Sequence, residues 1–415
     1  MQFEELDNGA KLLLVERPGG LVYCEFQVLA GSYLPAAPET AHLLEHLAGH
    51  FTTQREPDAH ELNARIESWG VETNAHLDGY AARYHMLGQA KDAPRMARLL
   101  LALFRDFAID PRIYKQERRA LIAELEALSS EPWIELIKRT QRELFPRHPI
   151  GLPLAQRIAS GERLAPSELL RFWRRYYQPR GALFIAVGDL PLAELRQLYA
   201  PLARMRNDSR AVVALEWPRV SGALALDGPR VLFVKEDTDT ARLQLTYRLL
   251  IDQADPRRFA VDLIAKLLGR GVSSRLLQRL RTRLGLVYAL SCAVQLDRDA
   301  ALSTLEIVTY VDAAQLRRAV AELTAALRGL EPTRREWRRV KNLAITELLL
   351  AAQGAPPSLA ALLSEGVLCG GAPQTPEWRR RQYEAVTRKD LIALAEQLFA
   401  KERLLISYSA AKPVL

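Results

Sequence analysis

The chain is written twice. In the first half, two strands at "AKLLLVER" and "VYCEFQVLA" precede helices at "ETAHLLEHLAGH" and "DAHELNARIESWG". Alternating segments at "VETNAHLD" and "AARYHMLG" follow, then a helix at "APRMARLLLALFRDF" and longer helices at "YKQERRALIAELEAL" and "PWIELIKRTQRELF". The helix "SELLRFWRRYYQP" and the apolar strand "ALFIAVG" close this half. The second half returns to the same plan, from "PRVLFVKED" and "ARLQLTYRLL" to the closing "KDLIALAEQLF" and "RLLISYSA". A period of roughly 200 residues is too long for a solenoid and implies a duplicated domain. Strands grouped with long helices favour an α+β fold over a doubly wound sheet. Two homologous domains are expected, 1–206 and 229–415, each a mainly antiparallel sheet packed with several helices. The stretch 207–228, with low periodicity and turn residues, reads as their linker.

Composition removes several classes. With 415 residues, 49% of them hydrophobic and 26% charged, the chain reads as a soluble globular protein. No stretch approaches the roughly 18 apolar residues of a membrane span. The net charge of +8 comes mostly from arginine, but acids are interleaved nearly everywhere, so nucleic-acid binding is not expected. Cys24, Cys292 and Cys369 are too far apart for a disulfide framework or a C-x-x-C site, and buried free thiols are the expectation. The opening "MQFEELDNGAKLLLVERPGG" lacks the features of a secretory signal, which makes a cytoplasmic location the default.

The duplication makes an asymmetry informative. All seven histidines lie at or before His148, so histidine-based metal chemistry belongs to the first half. In "HLLEHLAGH", His42 and His46 stand four apart, on one face of a helix, where both can reach one ion. Two imidazoles and a carboxylate suit zinc. Glu45 lies beside His46 and one turn from His42, where it can take a proton from a metal-activated water. The order H-x-x-E-H is the reverse of H-E-x-x-H and is a metallopeptidase signature. The plainer alternative is an amphipathic helix with two histidines in solvent or hydrogen-bonded in the core. For a third ligand, "YKQERRALIAELEAL" offers Glu117 and Glu124, seven apart on one face, although acids on helices are usually solvated. Leu121, Ile122, Leu125 and Leu128 around Glu124 suggest a partly buried face.

Taken together, these segments resemble the pitrilysin/insulinase family of inverted-motif zinc metallopeptidases. The half-length bacterial relatives of the mitochondrial processing peptidase are the most similar branch. The resemblance runs through "LDNGAKLLLVE", "AGSYLPAAPETAHLLEH", "NAHLDGYAARYH", "QERRALIAELEALSSEP" and "WRRYYQPRGALFIAVGDL". It implies one Zn2+ per chain held by His42, His46 and Glu124, with Glu45 as general base and Glu117 behind the ligands. Asn74 and Ala75 would lie on an edge strand that an extended peptide joins. The second-half stretch "SSRLLQRLRTRLGLVYALSC" is similar to the family signature in which an arginine and a tyrosine stand seven apart. Arg281 and Tyr288 would then bind substrate and stabilise the oxyanion. The plainer reading is a surface arginine and a core tyrosine.

The resemblance further implies a zinc endopeptidase acting on peptides enclosed by a dimer of clamshell halves. A homodimer is favoured because both residue sets are intact, with a heterodimer beside a degenerate homologue as the alternative. A non-catalytic scaffold subunit, or a peptidase that matures one precursor with a heterologous partner, are the rival functions. Two departures stand out. "LAGHFTT" after the motif carries an extra histidine, His50, expected at the surface, and "NAHLDGYAARY" has Leu77 and Ala82 where the family commonly has threonines.

Overall fold

Alternating and continuous apolar runs in the first half become one sheet in the computed structural model, which describes residues 1–208, 217–220 and 230–415. Its strands are β1 (Gln2–Glu5), β2 (Lys11–Glu16), β3 (Leu21–Val28), β4 (Glu72–Leu77), β5 (Ala82–Gln89) and β6 (Ala182–Gly188). They lie in the order β1-β2-β6-β3-β5-β4. The β2–β6 pair is parallel and the other neighbours are antiparallel. Central β6, "ALFIAVG", is buried at every position, as a strand covered on both faces must be. At the rim, β4 keeps one side unpaired and none of its residues is buried.

The second half builds the matching sheet from β7 (Arg230–Lys235), β8 (Thr240–Arg248), β9 (Val287–Gln295), β10 (Thr304–Asp312) and β11 (Leu404–Ala410). The order is β7-β11-β8-β10-β9, again with one parallel pair, β11–β7. The expected α+β plan of two sheet-and-helix halves is what the chain forms. The linker expected at 207–228 falls largely on residues 209–216 and 221–228, outside the described residues.

The helices that matter for the site are α1 (Thr40–Ala48), α2 (Ala59–Glu67), α3 (Ala93–Asp106), α4 (Pro111–Ser129), α5 (Pro132–Leu144), α6 (Leu154–Gly161) and α7 (Pro166–Tyr176). Two compact units result, and each borrows from the far half of the sequence. One comprises Met1–Leu128, Pro153–Pro218 and Ala351–Thr375; the other comprises Ser129–Leu152, Arg219–Leu350 and Pro376–Leu415. In the first unit the helix Pro356–Ser364 packs on β3 and β6. Its Ala360 and Leu363 join Leu13, Ile185 and Val187 in one apolar cluster. In the second unit α5 packs on β7 and β11, where the Thr140 hydroxyl lies 2.7 Å from the Ser407 hydroxyl, both buried.

The opposite face of the first sheet is aromatic. Phe26, Phe104 and Phe184 pack with ring centroids 5.1–5.7 Å apart, with Phe104 presented by α3. Helix α3 buries Met96, Ala97, Leu100, Leu103 and Phe104, the i, i+4, i+7 stripe of an amphipathic helix. Trp173 of α7 stacks on Tyr177 at 3.5 Å, and the Tyr177 hydroxyl meets that of Tyr84 at 2.8 Å. Each fully buried aliphatic side chain in such a core contributes about 1.5–3 kcal/mol.

Cys24 is buried on β3 and Cys292 is half-buried on β9; both are free thiols, and the side chain of Cys369 lies outside the described residues. Burial pushes the Cys24 thiol up to about 12, which makes it unreactive. No helix among the described residues is long and apolar enough to cross a membrane.

Candidate metal centre

Helix α1 has two unlike sides. Leu43, Leu44 and Leu47 are buried, and the helix packs against α7 and β4. His42, Glu45 and His46 fall on the other side and remain half-buried. The two imidazoles, one turn apart, meet edge to face with centroids 4.9 Å apart. Helix α4 brings Glu117 and Glu124 to the same place, two turns apart along one face. Glu124 Oε2 lies 3.5 Å from His46 Nε2 and 3.8 Å from His42 Nε2. Among the described residues, these three form the group whose ligand atoms all lie within 4.8 Å of one another. A tetrahedral zinc with bonds near 2.0–2.1 Å holds its ligand atoms roughly 3.3 Å apart, close to the two distances between Glu124 and the histidines. Glu124 is more open than its leucine neighbours suggested, with 46% of its side chain exposed. Leu121 and Leu125 turn to the core on another side of α4.

Each histidine is held from behind by its own carboxylate. His42 Nδ1 lies 2.9 Å from Glu39 Oε2, and His46 Nδ1 lies 3.2 Å from Glu117 Oε2. An ionised carboxylate only accepts, so in the neutral imidazole each Nδ1 would donate to it, leaving the Nε2 lone pair on the side of Glu124. That is the tautomer a metal needs. Glu117 also accepts from His50 Nε2 at 3.1 Å, and Asn63 Nδ2 donates to His50 Nδ1 at 3.0 Å. His50 is therefore half-buried in a network, which corrects its expected surface position. The chain turns just past α1, with Phe51 left-handed at φ 57° and fully buried, and His50, four residues beyond His46, stays on the face that meets α2 and α4.

Glu39 occupies the position just before α1 with φ 68°, a left-handed conformation that costs a glutamate about 1–3 kcal/mol. Arg157 on α6 clamps it with Nε on Oε1 at 2.6 Å and Nη2 on Oε2 at 3.0 Å. Burial alone would raise the Glu39 carboxyl, but hydrogen bonds from His42 and Arg157 outweigh it and hold the group at about 2. Glu45 moves the other way. Its burial, with the nearby Glu124 charge adding, lifts it above the ordinary carboxylate range despite the histidines beside it.

A cleft of about 410 Å³ opens beside the centre, lined by Glu45, His46, His50, Asn63, Asn74 and Ala75. Asn74 and Ala75 lie on the unpaired rim of the sheet, in β4. The Ala75 N–H donates to Asn74 Oδ1 at 2.9 Å. In the second unit, Arg281 belongs to a wide helical turn, Gln278–Arg283, and Tyr288 stands on β9 with 81% of its surface exposed. The Arg281 guanidinium sits 5.0 Å from the Tyr288 ring centroid.

Glu39, Arg157, His50 and Asn63 were not anticipated as members of the site. Glu39 had a signal, because it precedes His42 by one helical turn. Arg157 had none, since 118 residues separate it from Glu39.

Comparison with known proteins finds matches along most of the chain. Residues 17–156 match the family model described as Insulinase (Peptidase family M16), and residues 163–343 match the one described as Peptidase M16 inactive domain. An uncharacterised zinc protease of Mycobacterium leprae is 26% identical over 368 residues, covering 87% of this chain and 80% of the relative. The β subunit of the mitochondrial processing peptidase of Neurospora crassa is 23% identical over 163 residues, 38% of this chain and 33% of that subunit. Among solved structures, a protease from Helicobacter pylori superposes with a TM-score of 0.87 at 19% identity, covering 99% of both chains. A Pseudomonas fluorescens structure described as a peptidase M16 inactive domain gives 0.87 at 17% identity, covering 100% of this chain and 98% of that one. With both halves matched in order and the relatives bearing zinc-protease names, the chain belongs to the half-length branch of the pitrilysin/insulinase (M16) family.

Proposed function

We propose that the protein is a zinc-dependent endopeptidase acting on extended peptides. One observation carries the reading: His42, His46 and Glu124 converge with their ligand atoms turned inward, and Glu45 stands beside them. Zinc, when bound there, supplies a more acidic water and polarises the scissile carbonyl. Glu45 takes the proton of the attacking water and delivers it to the leaving amine nitrogen. Its upward shift suits both halves of that transfer, because a base that is too weak a proton acceptor gains little. An extended substrate adds to the unpaired side of β4, and Asn74 releases the Ala75 N–H to pair with it. A second copy of the chain encloses the peptide and supplies Arg281 and Tyr288, a cation and a phenol suited to an oxyanion.

The test is cleavage of a quenched peptide of about 20 residues by the wild type and Glu45→Gln, with zinc content and solution mass measured on both. The expected result is equal zinc, a mass of two chains, and a rate lowered by about 10²–10⁴ in the variant. Zinc without cleavage in the wild type would replace the homodimer with a partner-dependent enzyme. A wild type that holds no zinc would replace the peptidase with a scaffold subunit.

A further inference from the structure

We propose that Glu39, locked by Arg157, is the positioning residue of His42 and sets the tautomer in which Nε2 faces the metal position. The inference rests on the zinc-site reading and extends it to residues outside the H-x-x-E-H motif and the helix of Glu117 and Glu124.

An acidic residue just before a helix ordinarily accepts from a free N–H of the first turn. Glu39 makes no such bond. Its carboxylate accepts from His42 Nδ1 at 2.9 Å and from both Arg157 donors instead. The left-handed backbone of Glu39 goes with that placement, although glycine would occupy such a backbone more easily. Something must hold a strained glutamate there, and α6 does so twice. Arg157 grips the side chain, while Ser160, one turn on, donates to the Pro38 carbonyl at 2.6 Å. Glu39 is left with 6% of its side chain exposed.

An incidental ion pair would not need the histidine. Here the carboxylate bridges the two, in the way Glu117 bridges His46 and His50 on the other side. Both ligand imidazoles are thus oriented by carboxylates whose own freedom has been removed by a second partner.

The experiment measures zinc affinity by competition with a chromophoric chelator, and thermal unfolding of the metal-free protein, for the wild type, Glu39→Gly and Glu39→Gln. Glycine removes the backbone strain along with the carboxylate, so the lost Arg157 pair is partly offset and metal-free Glu39→Gly should stay folded, with a melting temperature lowered by a few degrees at most. Its zinc affinity should nevertheless fall by about 10–100-fold. Glutamine keeps an acceptor for His42 Nδ1 and should lie between the two. Wild-type affinity in Glu39→Gly would overturn the proposal. So would loss of folded metal-free protein in both variants, which would make the pair a structural tie. A wild type that binds no zinc would remove the metal site itself, and that outcome is read separately from either variant.

Discussion

The carboxylate of Glu117 is shared between two histidines, with Oε2 3.2 Å from His46 Nδ1 and Oε1 3.1 Å from His50 Nε2. His46 is an inferred ligand, and His50 lies one turn beyond it and further from the centre. Loss of the shared group should be felt more than loss of the outer one. Glu117→Gln is expected to weaken zinc binding by about 10–100-fold, and His50→Ala by only a few-fold, since it acts through Glu117. Chelator competition on the two variants checks the order; equal affinities in His50→Ala and wild type would confine the network to Glu117.

Tyr84 and Tyr177 form a buried hydroxyl pair at 2.8 Å beneath the site. Tyr177→Phe should cost about 1–3 kcal/mol, because it strands the Tyr84 hydroxyl in the core. Adding Tyr84→Phe removes the stranded group, so the double variant should be more stable than the sum of the singles predicts. Urea unfolding of the four proteins gives the coupling directly.

The Arg281–Tyr288 pair is exposed, where a cation–π contact is worth about 0.5–1 kcal/mol. Arg281→Ala should therefore leave the melting temperature nearly unchanged while lowering kcat/KM on a peptide. A variant that cleaves at the wild-type rate would leave the pair without a part in the reaction.

Glu25 sits on β3 among Tyr23, Gln27 and Arg83, and burial raises its carboxyl above the ordinary 4.5. Below about pH 4.5 the group is neutral in folded and unfolded chains alike. As pH rises past that value the unfolded chain ionises first, which favours unfolding and lowers stability. Glu25→Gln should accordingly melt above the wild type at pH 8, with the gap closing near pH 4. A gap of constant size at both pH values would mean that ionisation of Glu25 is not its cause.

Much of the architecture could be read from periodicity alone. The run "ALFIAVG" becomes a central strand because nothing in it could face water, while "LVYCEFQV" is buried at all but its first residue even though it carries Glu25 and Gln27. The face shared by His42 and His46 follows from helix geometry, as does the pairing of Glu117 with Glu124. What escaped was set by tertiary contact. "APETAH" reads as an ordinary helix start, and nothing in it announces that Glu39 turns left-handed to reach an arginine on α6. The surface reading of His50 failed because His50 follows His46 by four residues and so continues the face of α1 that meets Glu117 and Asn63. An amphipathic stripe likewise says that α5 covers a sheet, without saying which one.

That choice of sheet has a consequence for synthesis on the ribosome. The last strand of the first sheet ends at Gly188, but the helix that covers its Leu13, Ile185 and Val187 does not begin until Pro356. At about 5–20 residues per second, the gap lasts on the order of ten to thirty seconds. Throughout that interval a finished sheet carries an uncovered oily face, a target for holding chaperones or for a neighbouring nascent chain. The first compact unit is therefore complete only once the chain has been made as far as Thr375.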